Sequence, residues 1–181
     1  ARLSVKWAAL RLKPNSEKRI AIILSNYPTK DARIGNAVGL DTPASVINVL
    51  NALKNTGYHV TDIPADGDEL VHQIIQRCSN DTDTLTEEQL QLAAGHVSAK
   101  QYKDWFSTFP MKVKDELTEA WGEPPGQVYR TGNGLAIAGI DLGNVFVGLQ
   151  PPRGFGENPI AVYHSPDLAP THHYVAYYRW I

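Results

Sequence analysis

The sequence predicts an α/β fold: an open, mainly parallel sheet flanked by helices, with a helical insertion and a β-hairpin. Three observations predict it. An isoleucine-rich run at 19–24 is typical of a buried strand. A capped amphipathic helix and another short apolar run follow it, which is the order of a parallel crossover. Two apolar runs within 135–149, separated by turn residues, predict the hairpin.

The chain opens with a predicted helix and a predicted strand. Residues 1–12 have helical spacing, with Leu3, Trp7 and Leu10 on one side. Pro14 breaks this pattern, and the apolar run that follows begins the sheet.

A loop over 25–41 leads into the second predicted helix. Thr42 is the expected N-cap, Pro43 suits the first turn, and Gly57 supplies the C-terminal stop. Residues 58–64 are predicted as the second strand. Together with the first strand, these segments would form a strand–loop–helix–strand unit.

The middle of the chain is predicted to be mostly helical. Residues 67–78 carry an inward apolar stripe, and 84–122 form the predicted insertion of short helices. Thr86 and Ser98 both have the spacing of a capping box. Strand patterns return afterwards and include the hairpin.

Composition narrows the class of protein. The 181 residues are 43% hydrophobic and 20% charged, which is typical of one globular domain, and the net charge is −2. Without a basic stripe, nucleic-acid binding is not favoured. No apolar run approaches the roughly 20 residues of a membrane span, and no signal peptide is visible. A single cysteine, Cys78, is consistent with a reducing compartment such as the cytoplasm, and its apolar setting predicts a buried thiol.

The loop over 25–41 is the first candidate site. It follows a strand, contains Gly35 and Gly39, and precedes a helix N-terminus that could receive an anion. It is neither a dinucleotide fingerprint nor a Walker A sequence, so nucleotide binding has little support. Because long loops in compact domains usually carry function, a ligand-facing and a partner-facing role both stay open.

The last 31 residues are the second candidate, with Thr171 opening a final helix. Three of the six histidines lie here among carboxylates, arginines and aromatic rings, a composition suited to a metal or a large ring-shaped ligand. The adjacent histidines point about 100° apart on a helix, so a complete metal site within this chain is not favoured. Core packing or helix capping is the alternative for each of them. The candidate site residues of this segment are Arg153, Glu157, His164, His172, His173, Tyr177 and Arg179.

Several motifs resemble one known family. Asn26-Tyr-Pro28, Gly39-Leu-Asp-Thr-Pro43, Pro151-Pro-Arg-Gly-Phe-Gly156 and the pair His172-His173 are similar to the large subunit of cobaltochelatase of the CobN type, which is homologous to the H subunit of magnesium chelatase. The similarity extends from Val5 to the end. The resemblance, the absence of an initial methionine and the end of the chain within a predicted helix lead us to expect an internal segment of a longer polypeptide.

The resemblance implies a large subunit that binds a tetrapyrrole and inserts Co²⁺, the substrate metal, into hydrogenobyrinic acid a,c-diamide during cobalamin synthesis. ATP, with Mg²⁺, would be hydrolysed by separate AAA+ partner subunits. The partners would then be the corrinoid precursor, the AAA+ subunits and the remainder of the large subunit. The enzyme would be a ligase forming nitrogen–metal bonds, and this segment alone would be inactive and hold no tight cofactor.

Metal insertion needs a base near neutral pKa, and the peripheral carboxylates of a tetrapyrrole need cationic partners. The expected groups near the metal or the proton path are Glu157, His172 and His173, with His164, His172 and His173 as candidate metal ligands. The expected substrate contacts are Arg153, Arg179 and Tyr177. The histidine- and tyrosine-rich segment would then form one wall of a cleft. The alternatives are a magnesium chelatase H-type subunit and a non-catalytic module that docks AAA+ subunits through the 25–41 loop.

Overall fold

The computed structural model describes residues 2–132, 134–154, 165 and 167–181. Its α-helices are Arg2–Leu12 (α1), Thr42–Asn55 (α2), Gly67–Arg77 (α3), Glu87–Gln91 (α4), Ala99–Ser107 (α5), Met111–Trp121 (α6) and His172–Trp180 (α7). Its strands are Ile20–Leu24 (β1), Gly95–Ser98 (β2), Arg130–Thr131 (β3), Gly134–Ile137 (β4), Gly139–Leu142 (β5) and Val145–Leu149 (β6).

The strands form two small sheets. The first has the order β1-β6-β5, in which β1 and β6 are parallel and β5 and β6 form an antiparallel hairpin. The second has the order β2-β4-β3 and is antiparallel throughout. The predicted α/β class and the hairpin are therefore confirmed. The prediction of a mainly parallel sheet is corrected, since β1–β6 is the one parallel pair among the described strands.

The parallel partner of β1 comes from far along the chain. Leu24 lies opposite Leu149 in the β1–β6 register. The predicted second strand at 58–64 makes only an isolated bridge, between Val60 and Gly143. Asp62 has a φ of 48°, which breaks the extended backbone that a strand requires. The predicted strand–loop–helix–strand unit is therefore wrong in its last element.

The predicted helical insertion contains a strand that the sequence pattern did not reveal. Helices α4, α5 and α6 lie within 84–122 as expected, but β2 separates α4 from α5 and pairs with β4. At the start of β2, the place of a Gly95 side chain is taken by the ring of Trp180. This strand depends on contacts with residues distant in sequence, and the local periodicity of the sequence cannot reveal such contacts.

Most predicted helix caps are present. Thr86 forms a complete capping box, while Ser98 and Thr171 accept from the third residues of α5 and α7. The exception is α2, where the cap is Asp41 and not Thr42, because the Asp41 carboxylate accepts from the Ala44 N–H at 3.0 Å.

Two hydrophobic clusters lie against the strands. The first joins α2 and α3 to the β1-β6-β5 sheet, with Leu50, Leu70 and Val147 fully buried. The second packs α5, α6 and α7 around β2 and β4. Neighbouring residues of β6 serve different clusters, since Val147 belongs to the first and Phe146 to the second. The strand β6 therefore holds the two halves of the core together.

Helix α1 does not contribute to either cluster. Its predicted apolar side is exposed, at 69% for Leu3, 70% for Trp7 and 47% for Leu10. Among the described helices, α1 included, none is long and apolar enough to cross a bilayer.

Neighbouring residues of α2 provide a test of the first cluster. Replacing Leu50, which is fully buried, with alanine should lower the free energy of unfolding by about 2–5 kcal/mol. The matched control is Val49→Ala, at a position 46% exposed, which should change it by less than about 0.5 kcal/mol. Chemical denaturation of both variants measures the difference. Equal losses would contradict the described packing of α2.

Candidate functional site

The start of α7 is anchored to the segment that follows β6. The Thr171 hydroxyl caps α7 by accepting from the Tyr174 N–H, and it also lies 3.3 Å from the Pro152 carbonyl. The Thr171 N–H donates to the Arg153 carbonyl at 3.0 Å. The sequence after the sheet therefore fixes where the two adjacent histidines of α7 enter the core.

His172 uses both of its ring nitrogens inside the protein. Nε2 lies 2.8 Å from the Gly122 carbonyl and must donate to it, so Nδ1 accepts from the Tyr102 hydroxyl, also at 2.8 Å. The Phe106 ring packs beside this pair, at a centroid distance of 5.5 Å from the imidazole. Burial lowers the pKa of His172, and the hydrogen bond to Gly122 opposes that effect only in part.

His173 is held differently, because one of its nitrogens has no partner. Nε2 donates to the Ala136 carbonyl of β4 at 2.7 Å, and the Tyr129 ring lies over the imidazole at a centroid distance of 4.4 Å. Among the described residues, nothing hydrogen-bonds the buried Nδ1. Burial lowers the pKa of His173 to about 4, against the opposing effect of its hydrogen bond. The imidazole is therefore neutral, with an unused lone pair.

A cavity of about 350 Å³ lies beside these histidines. Its walls are the end of α6, the segment 125–128 and the start of α7, and they are mostly apolar. That volume is at the low end for a ligand pocket, which is roughly 300–1,000 Å³. The cavity can receive an edge or a peripheral group of a macrocycle but not a whole one. Beside the histidines the structure therefore has a small indentation, and the predicted wall of a substrate cleft stays a prediction.

The other predicted substrate contacts lie in three different settings. Arg153 is half-buried and donates from Nη2 to the Leu168 carbonyl at 3.2 Å. Arg179 is exposed and lies over the Trp105 ring, 5.9 Å from its centroid. Tyr177 is fully buried, and its hydroxyl occupies the place where a side chain on Gly148 would be. Of the three, Arg153 is the one whose backbone carbonyl accepts from the Thr171 N–H at the start of α7.

Two predicted site residues, Glu157 and His164, lie outside the described residues. Among the residues that are described, no group of three or more histidine, cysteine or acidic side chains could hold a metal ion. The roles predicted for Glu157, His164, His172, His173 and the substrate contacts stay predictions. For His172, binding a metal would require breaking one of its two internal hydrogen bonds.

The loop after β1 is tied to a buried turn at 78–81 by polar contacts. The Lys30 ammonium pairs with Asp81 at 3.0 Å and also with Asp83. Asp81 accepts in addition from the Asp31 N–H at 3.2 Å. Burial raises the pKa of Asp81, but the hydrogen bonds from Lys30 and from the backbone together outweigh burial, so the pKa is lowered. The Asp41 carboxylate meanwhile occupies the N-terminus of α2, so the anion site considered there is already filled by the protein.

Sequence reasoning missed the residues that hold the histidines in place. Tyr102, Gly122 and Ala136 come from three different elements, and their only signal is the apolar pattern around them. The prediction for Cys78 is confirmed, because the thiol is buried and burial raises its pKa to about 12. A thiol of that kind is a poor nucleophile.

Comparisons with known proteins give a consistent result over the whole chain. The family model described as CobN/Magnesium Chelatase matches residues 1–181. The aerobic cobaltochelatase subunit CobN of Pseudomonas aeruginosa is 44% identical over 182 residues, and the uncharacterised protein MJ0908 of Methanocaldococcus jannaschii is 49% identical over 179. These alignments cover 100% and 99% of the chain but 14% of each relative.

A solved structure agrees with them. The catalytic subunit of cobaltochelatase from Mycobacterium tuberculosis superposes with a TM-score of 0.76 at 44% identity. The match covers 96% of this chain and 14% of that one. The chain therefore spans about one seventh of the length of the proteins that it resembles.

Because His173 is buried and neutral, we expect the stability of the protein to depend on pH. Its pKa falls from 6.5 to about 4 on folding, so between these values the unfolded chain binds more protons and stability decreases as the pH falls. The loss from this residue is roughly 3 kcal/mol across that window. Urea unfolding at several pH values should therefore show that the free energy of unfolding changes less with pH in His173→Gln than in wild type. The glutamine amide can still donate to the Ala136 carbonyl. The control His72→Gln changes an exposed histidine and should keep the pH dependence of wild type. If the free energy of unfolding depends on pH in the same way in wild type and in His173→Gln, the lowered pKa of His173 is refuted.

Proposed function

This chain belongs to the CobN/magnesium chelatase family, and we propose that it is a segment of the large subunit of an ATP-dependent cobaltochelatase. The reaction would insert Co²⁺, as the substrate metal, into hydrogenobyrinic acid a,c-diamide in cobalamin biosynthesis. The similarity of the whole of this chain to part of a CobN subunit, at 44% identity, carries this proposal, and the similarity to a cobaltochelatase structure supports it. The enzyme would be a cytoplasmic ligase forming nitrogen–metal bonds, with ATP and Mg²⁺ used by AAA+ partner subunits. This segment alone would be inactive and bind no cofactor tightly.

Metal insertion requires three things from the protein: the metal must lose water, two inner nitrogens of the macrocycle must lose protons, and the ring must be held in place. A segment that covers one seventh of its relatives' length can supply only part of this site. We propose that its part is one wall, formed by the start of α7, Arg153 and the residues that follow Arg153, with Glu157 near the metal or the proton path.

Within this wall, the two histidines would have different roles. His173 has a neutral ring, a tautomer fixed by the Ala136 carbonyl and a lone pair on Nδ1 with no described partner. A ligating imidazole has this arrangement, in which the second nitrogen donates to a backbone carbonyl and orients the ring. In this structure Nδ1 is shielded from solvent, so its use as a ligand requires neighbouring groups to move. His172, with both nitrogens engaged, would position α7.

Arg153 is the better supported of the two predicted cationic substrate contacts. One of its N–H groups is used by the Leu168 carbonyl, and a guanidinium carries five in a rigid fork. The remaining donors suit a peripheral carboxylate of the corrinoid precursor. Arg179 is directed to the Trp105 ring, so its proposed contact with substrate would require a different rotamer.

A docking role for the 25–41 loop is the second candidate function. It is favoured by one observation, the exposure of two apolar side chains on this loop, at 107% for Val38 and 55% for Leu40. The AAA+ subunits would be the partners. Capture of purified AAA+ subunits by the wild-type chain, lost in Val38→Ser/Leu40→Ser, would support docking. Macrocycle binding by a large subunit with this double change would show that the two roles are separate.

The metal and macrocycle distinguish the cobalt branch from the magnesium branch. The complete large subunit, with its AAA+ partners and ATP, should insert Co²⁺ into the corrinoid precursor. It should not insert Mg²⁺ into protoporphyrin. Absorption spectra of the two macrocycles measure both reactions. Insertion of Mg²⁺ into protoporphyrin would instead place this chain in the magnesium branch.

Replacing Arg153 tests the proposed substrate contact. In the large subunit, Arg153→Ala should weaken binding of the corrinoid precursor by at least about tenfold, because a charge-assisted contact to a carboxylate is lost. Fluorescence quenching titrations measure this affinity. The matched control is Arg11→Ala on the exposed helix α1, which should leave the affinity unchanged. Equal affinities in wild type and Arg153→Ala would remove Arg153 from the site.

A further inference from the structure

Buried polar atoms without partners lie in two places in the part of the chain that the structure describes. There are seven such atoms, and two of them belong to α7, on His173 and Tyr177. The other five lie around the loop that follows β1 and the turn at 78–81: Nδ2 and Oδ1 of Asn26, Oδ1 of Asp31, Oγ1 of Thr42 and Oδ1 of Asn80. Because native proteins rarely leave such atoms unsatisfied, the second group requires an explanation.

This group is at the edge of the sheet where the two parallel strands end. Asn26 is two residues beyond Leu24, the last residue of β1, and it is fully buried. The Leu24 carbonyl accepts from the N–H of Gln150, the first residue after β6, and Asn80 donates from Nδ2 to the Gln150 carbonyl at 3.0 Å. Asn26 and Asn80 therefore flank the carboxyl ends of the parallel pair, where open α/β sheets bind ligands.

The free atoms favour a neutral ligand group with its own N–H donors. Asn26 offers one amide donor group and one acceptor, whereas the free side-chain atoms of Asn80 and Asp31 are acceptors only. A carboxylate could accept from Asn26 Nδ2 and from the Thr42 hydroxyl, but it would leave the free oxygens of Asn26, Asn80 and Asp31 without donors. A primary carboxamide has an oxygen for Asn26 Nδ2 and two N–H groups for the oxygens of Asn26 and Asn80.

The loop that follows Asn26 is held by polar contacts and by one apolar side chain, Ile34, which is buried in the first hydrophobic cluster. Ile34 forms a single bridge with Asn26, and the Gly35 N–H donates to the Ser25 carbonyl. Lys30, which is 46% exposed, pairs with Asp81, and the Asp31 N–H donates to the same carboxylate. With the loop in this position, the polar atoms around Asn26 stay unsatisfied, and a ligand that satisfied them would favour a displaced loop.

We propose that Asn26 and Asn80 recognise a primary carboxamide of the macrocycle, so that the enzyme selects an amidated substrate over its unamidated acid. This inference rests on the proposed function, because it assigns a specificity role within that substrate site. Asn26 pairs with the amide through two hydrogen bonds, and Asn80 Oδ1 accepts the second amide proton. The residues between Pro28 and Asp41 move aside when the group enters.

The test uses the complete large subunit and two macrocycles, the a,c-diamide and the corresponding diacid. Wild type should bind the diamide at least about tenfold more tightly, because a site with buried amide partners rejects a group that leaves them unpaired. In Asn26→Leu this preference should fall to within about threefold. The control Asn51→Leu, the same change on an exposed position of α2, should keep the wild-type preference.

Each other result has a definite meaning. If wild type binds neither macrocycle, the proposed function fails, and this inference fails with it. If wild type binds both equally, or if Asn26→Leu keeps the preference, Asn26 does not read the amide, while the proposed function stands.

Thermal unfolding of the 181-residue chain separates recognition from a purely structural role. Leucine has the same branched skeleton of four heavy atoms as asparagine, and it removes polar atoms that have no described partner, so Asn26→Leu should unfold at the same temperature as wild type or above it. A clear fall in the unfolding temperature would mean that the amide has an internal partner, and it would overturn the proposal.

Discussion

The arrangement of the site depends on a close contact between α7 and the sheet. The Tyr177 hydroxyl and the Phe146 ring both occupy the space next to Gly148, where any side chain would collide with them. Glycine in the middle of a strand lowers its intrinsic stability, so its presence in β6 is explained by this approach. Because Tyr177 is seated on β6, the first turn of the same helix is directed toward Gly122 and Ala136, which receive the two histidines.

The histidines illustrate how burial sets chemical character. An imidazole in water changes charge near neutral pH, but both rings here are enclosed, and both pKa values are lowered. What distinguishes them is hydrogen bonding, since only His173 keeps a nitrogen without a described partner. A pair of adjacent residues with the same side chain thus divides into a positioning group and a group with capacity for a ligand.

Sequence reasoning predicted local features and failed on distant ones. The caps at Thr86, Ser98 and Thr171 and the β5–β6 hairpin were predicted, because their signals lie within a few residues. The partner of β1 and the existence of β2 depend on pairing across the chain. For the site, residue type indicated the histidines, but their depth could not be predicted, because Tyr102 and Ala136 enclose them from other elements.

The pairing of β1 with β6 has a consequence for how the protein is made. Leu24 finds its partner only when Leu149 has left the ribosome, so an apolar strand stays without its neighbour while more than a hundred residues are synthesised. Such long-range pairing is slow, and strand edges exposed in the meantime are prone to aggregation. The charged residues Glu17, Lys18 and Arg19 directly precede this strand, which is the position that gatekeeper residues take beside hydrophobic strands.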